Sequence, residues 1–123
     1  MMLLDMCKSK IHKARLTECV LDYEGSLGID LDLLDAAGIL PYEKILVVNA
    51  NNGERLETYA IPMGRGSRSF TLNGPAAHKG SPGDTVTIMA FGRMDEDEAK
   101  GFKPKIVVLD ASNAVVARKG SLA

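Results

Sequence analysis

Gly25-Ser26, within Tyr23-Glu24-Gly25-Ser26-Leu27-Gly28-Ile29-Asp30, is where the residue types of this chain could do covalent chemistry on the chain itself. A serine hydroxyl held against the carbonyl of the preceding residue can attack it and turn the peptide link into an ester. β-Elimination of that ester cuts the chain. The new N-terminal dehydroalanine takes up water, loses ammonia and becomes a pyruvoyl group, a ketone built into the backbone. Glycine before the serine suits the step, because without a Cβ it can adopt the strained geometry that lets the hydroxyl approach. The same dipeptide is also an ordinary turn signal. The elements around it must decide between the two.

With 123 residues the chain is read as a single domain over 1–123, long enough to bury about two thirds of its unfolded surface. A formal net charge of -1 offers no basic field for nucleic acid or an anionic membrane, which leaves a small molecule or a protein as partner. Cys7 and Cys19 are the two cysteines, without C-x-x-C spacing or a His/Cys cluster, so no metal is expected and the thiols read as reduced and cytoplasmic. Asp5 and Lys8 interrupt the apolar start too early for a signal-peptide core. No run is long enough to span a bilayer.

Six strands follow from the patterning. Leu3 to Lys13 alternates imperfectly and sets Lys10 and His12 on one face. Ile45-Leu46-Val47-Val48 is an unbroken apolar run, suited to a strand covered on both sides. Asn51-Asn52-Gly53 turns it into a return strand from about Glu54 to Ile61. Ser69 to Leu72, Thr85 to Phe91 and Ile106 to Leu109 complete the set. The clearest helix is capped by Asp30, buries Leu33, Leu34 and Ala37, and ends at Gly38. Pro75 to His78 reads as one helical turn with proline at its first position, and Asp95 to Lys100 as another. Residues 114–123 are small and basic, and read as a flexible tail. Short strands, short helices and many Gly turns imply a mainly β fold, a small closed or nearly closed barrel.

With these elements in place, the string resembles the pyruvoyl-dependent aspartate 1-decarboxylase family from Lys10 through Val107. The resemblance is carried by ordered blocks: Lys10-Ile11-His12-Lys13-Ala14, Tyr23-Glu24-Gly25-Ser26, Leu34-Asp35-Ala36-Ala37-Gly38-Ile39, Asn52-Gly53-Glu54-Arg55, Thr58-Tyr59-Ala60-Ile61, Arg65-Gly66-Ser67, Asn73-Gly74-Pro75-Ala76-Ala77-His78 and Gly83-Asp84. It implies a six-stranded double-psi β-barrel and a homotetramer with active sites between neighbouring subunits. It further implies self-cleavage between Gly25 and Ser26 and conversion of L-aspartate to β-alanine and CO2 for pantothenate synthesis. Whether the cut is spontaneous or assisted by a maturation factor is left open.

The same resemblance distributes roles. Ser26 becomes the covalent pyruvoyl group that forms a Schiff base with the substrate amine. Thr58 hydrogen-bonds the developing oxyanion at Gly25 during processing, and lies at the substrate site. Tyr59 protonates the carbanion, a task suited to a phenol, which keeps its proton at neutral pH. Arg55 clamps a substrate carboxylate through two parallel charge-assisted bonds, with Lys10 as a second cation. Asn73 and Gly74-Pro75-Ala76 bring amide and backbone N–H groups to substrate or processing site. Tyr23 lines the site, and neither His12 nor His78 has a catalytic part.

Two features strain this assignment. Thr58 and Tyr59 are neighbours, so a regular strand points them opposite ways. Pro75 stands where the family usually has alanine, which removes one backbone N–H from the substrate contacts. A phosphate loop at Gly64-Arg65-Gly66-Ser67-Arg68-Ser69 lacks both the G-x-x-x-x-G-K-[ST] pattern and a following helix. The remaining alternative is a non-catalytic barrel, a small-molecule-binding or interaction module in which Gly25-Ser26 stays intact.

Overall fold

Apolar and β-branched runs between Gly, Asn and Pro turns make this chain mostly strand. The computed structural model describes residues 1–119. In chain order the elements are β1 (Leu4–Arg15), β2 (Glu18–Val20), β3 (Ser26–Asp30), α1 (Leu31–Ala37), β4 (Lys44–Asn49), β5 (Arg55–Met63) and β6 (Phe70–Asn73). A 3-10 turn (Gly74–Lys79) follows, then β7 (Thr85–Met94), α2 (Glu96–Gly101), β8 (Lys105–Leu109) and β9 (Val115–Lys119). The strands hydrogen-bond in the order β2-β6-β3-β5-β4-β7-β1-β8-β9. Pairs β1/β8, β2/β6 and β3/β5 are parallel and the others antiparallel.

The six expected strands are present as β1, β4, β5, β6, β7 and β8, and β2, β3 and β9 join them to make nine. The expected tail is therefore corrected in part. Val115–Lys119 pairs antiparallel with β8, its exposed basic residues being those of an edge strand, while 120–123 lie outside the described residues.

A single core gathers Ile11 and Ala14 of β1, Leu27 and Ile29 of β3, Ile45 and Val47 of β4, Ala60 of β5, Phe70 and Leu72 of β6, Val86 and Ile88 of β7, and Val107 and Leu109 of β8. A sheet that presents one face of so many strands to one core has to curl around it, which gives the small barrel. Each fully buried Ile, Leu or Phe contributes about 1.5–3 kcal/mol.

Helix α1 adds Leu33, Leu34, Ala36 and Ala37 to that core. Its ends are as local chemistry requires: the Asp30 side chain accepts from the Asp32 N–H, and Gly38, at φ 69°, donates to the carbonyls of Leu34 and Asp35. The β1–β7 register shifts between Ile11 and Ala14, with Lys13 at φ 64°, and this bulge carries the strand two residues beyond its expected end.

Candidate active site

Ser26 opens β3 and is 1% exposed. Its hydroxyl is held from two sides: Oγ donates to the Glu24 carbonyl at 3.3 Å and accepts from Asn73 Nδ2 at 3.1 Å. Asn73 is there because β3 and β6 run antiparallel with Ser26 and Asn73 as direct partners. The chain then bends at Gly74, whose φ is +74°. A Cβ on Gly74 would lie 2.8 Å from the Gly25 Cα, the Gly25 nitrogen and the Tyr23 carbonyl oxygen. Only a residue without a side chain lets the 3-10 turn rest against the Gly25 backbone.

On its other edge β3 runs parallel to β5, with Leu27 level with Ala60. Both are fully buried core residues. Level residues of neighbouring strands point to the same face, and successive residues alternate. The β3–β5 pairing begins at Leu27; along β5 Tyr59 alternates to the face away from the core, while Thr58 shares the face of Ala60. Thr58 and Tyr59 do face opposite ways along β5. Lys44 pairs with Tyr59 across β4 and β5, as Asn73 pairs with Ser26 across β6 and β3. The Tyr59 ring stacks on Tyr42 with centroids 6.2 Å apart.

The sequence is similar to those of known proteins. The family model for aspartate decarboxylase matches residues 2–116. This chain belongs to the aspartate decarboxylase family. It is 56% identical over 120 residues to the aspartate 1-decarboxylase of Thioalkalivibrio sulfidiphilus, covering 98% of this chain and 94% of that protein. The enzyme of the same name from Tolumonas auensis is 55% identical over 111 residues, 90% of this chain and 88% of its own. That of Carboxydothermus hydrogenoformans is 55% identical over 115 residues, 94% and 91% of the two chains.

In this aspartate decarboxylase family member, then, one chain brings together Gly25, Ser26, Asn73 and Gly74, and Thr58 and Tyr59 lie on the neighbouring strand β5. Pro75 and Ala76 follow in the first turn of the 3-10 segment, with Pro75 exposed. Arg55 and Lys10 are not brought to Ser26 within the chain. Arg55 shares a face of β5 with Tyr59 but is exposed and about 13 Å farther along the strand. Lys10 lies on β1, separated from β3 by β7, β4 and β5 in the sheet order. A cavity of about 440 Å³ lined by Asp5, Lys44, Ile45, Leu46, Glu57, Phe91 and Arg93 includes neither Ser26 nor Asn73.

Sequence reasoning missed Tyr42 and the Glu24 carbonyl. Nothing local signals Tyr42.

The Gly64–Ser69 loop is not a phosphate cradle, since two of its N–H groups are already taken by a carboxylate. Buried Asp30 accepts from Gly66 N at 3.1 Å and from Arg68 N at 2.7 Å. Arg65 bridges Asp32 and Asp35 at 2.7 Å each, and those two carboxylates raise its pKa. His12 is pushed below its ordinary value by partial burial, then by Lys10, Lys13 and Lys119. Among the described residues no group of three or more His, Cys, Asp or Glu could hold a metal ion, and no helix is long and apolar enough to cross a membrane.

Proposed function

We propose that this chain is an aspartate 1-decarboxylase that cuts itself between Gly25 and Ser26 and uses the resulting pyruvoyl group to convert L-aspartate to β-alanine and CO2. The observation that carries the reading is the buried Ser26 hydroxyl, held by Glu24 and Asn73 beside a Gly25 backbone that Gly74 packs against. In the encoded chain the hydroxyl leaves the Glu24 carbonyl to attack the carbonyl carbon of Gly25. Thr58, on the neighbouring strand β5, donates to the oxygen that gains charge during attack. Once formed, the pyruvoyl carbonyl supplies the electron sink for loss of CO2.

This chain's own side chains do the rest. The Asn73 amide and the backbone at Gly74 and Ala76 orient the substrate, while Tyr59 holds the proton to be delivered to its α-carbon. Arg55 and Lys10 are assigned to the substrate carboxylates across a subunit boundary, which is why one chain leaves them apart. Exposed Tyr23 and Leu40 give a neighbouring subunit of a homotetramer apolar surface to cover. A cytoplasmic setting in pantothenate biosynthesis fits the free thiols of Cys7 and Cys19. The test is Ser26→Ala: it should fold to the same secondary structure, remain one chain and release no CO2 from aspartate. Decarboxylation by that variant would refute the assignment.

A further inference from the structure

We propose that Tyr42 is a positioning residue for the decarboxylation, acting through its ring on Tyr59; this rests on the reading of Tyr59 as proton donor. Tyr42 has φ +72°, a left-handed conformation that costs an ordinary L-residue about 1–2 kcal/mol and that glycine or asparagine adopts with less strain. It is also 74% exposed, so burial in the core does not explain a large aromatic residue here.

What the residue does make is a fixed wall for Tyr59. Its N–H donates to the carbonyl of Ala60, the residue after Tyr59, at 2.6 Å, and the Ala60 N–H donates to the Glu43 carbonyl at 3.0 Å. The Glu43 carboxylate is tied down in turn, by Lys8 Nζ at 2.7 Å and by the Leu40 N–H at 3.0 Å, while Lys8 also donates to the Gly38 carbonyl. The ring borne by this clamped loop meets the Tyr59 ring at 6.2 Å and 29°, within the range of offset aromatic pairs. Tyr59 points away from the core, so the core supplies no wall for its ring. Tyr42 supplies one, narrowing the directions in which the phenol can deliver a proton.

The experiment compares Tyr42→Asn, Tyr42→Phe, Tyr59→Phe and the double variant Tyr42→Asn/Tyr59→Phe, measuring chain cleavage, melting temperature, kcat and KM for aspartate. Asparagine removes the ring while relieving the backbone, so a merely structural role predicts an unchanged or more stable and fully active protein. Positioning predicts normal cleavage, an unchanged or higher melting temperature, a KM within about twofold and a kcat lowered about tenfold. Tyr42→Phe, which keeps the ring, restores most of kcat, and the double variant is no slower than Tyr59→Phe alone. A normal kcat in Tyr42→Asn beside a slow Tyr59→Phe overturns the inference alone, as do additive losses in the double variant. A normal kcat in Tyr59→Phe overturns the proton-donor reading and this inference with it.

Discussion

Replacing Gly74 by alanine should slow chain cleavage as well as destabilise the fold, and a second glycine separates the two effects. Gly74 and Gly53 have nearly the same backbone conformation, φ +74° and +75°. A side chain at either position therefore bears the left-handed penalty of about 1–2 kcal/mol. They differ in what a Cβ would meet: open space at Gly53, and the backbone of Gly25 and Tyr23 at 2.8 Å at Gly74. Backbone cannot swing aside as a side-chain tip can, and such overpacking adds about 1–3 kcal/mol. In the uncut Ser26→Ala background, Gly74→Ala should thus melt below Gly53→Ala by an amount corresponding to about 1–3 kcal/mol, roughly 3–15 °C for a domain of this size. In the Ser26 background a time course of intact mass should show cleavage slowed at least tenfold for Gly74→Ala and unchanged for Gly53→Ala. Equal melting temperatures together with equal cleavage rates would refute the idea that Gly74 is glycine so that the turn can lie on the scissile segment.

Arg55→Ala should leave cleavage intact and raise KM for aspartate by roughly 10- to 100-fold, the loss of a charged hydrogen bond of about 1.5–3 kcal/mol; steady-state kinetics showing an unchanged KM would remove Arg55 from the substrate site. Asp30→Ala strips the acceptor from the N–H groups of Asp32, Gly66 and Arg68, and should lower stability by about 2–4 kcal/mol in urea unfolding. His12 binds a proton less readily folded than unfolded, so in the window from its lowered folded value up to its ordinary 6.5 the unfolded chain holds more protons. Its contribution to stability is complete above that window and is lost as pH falls through it, so His12→Gln should flatten the fall in melting temperature below about pH 6.5; a slope unchanged by the substitution would contradict this.

Local signals carried much of the fold. Asp30, the Leu33-Leu34-Ala37 stripe and Gly38 mark α1 at both ends, and Asn51-Asn52-Gly53 marks the β4–β5 hairpin, because caps and tight turns are chemistry between near neighbours. The strand that holds the serine was not legible. Ser26–Asp30 is five residues, all buried, without alternation, and it exists because β5 and β6 flank it. β9 was hidden for the opposite reason, since an edge strand of small and basic residues has the composition of a tail. Within the site, Asn73 and Tyr59 could be named from the family resemblance, but the pairing of Asn73 with Ser26 depends on strand register. The Tyr42–Tyr59 contact depends on a loop conformation that tyrosine itself disfavours.

Intact-mass measurement of the purified wild-type protein, with an aspartate decarboxylation assay on the same sample, tests the central claim most directly. The account predicts two polypeptides, one ending at Gly25 and one beginning at position 26 without a free amine, and activity proportional to the fraction cut. A single full-length chain that makes β-alanine would contradict it.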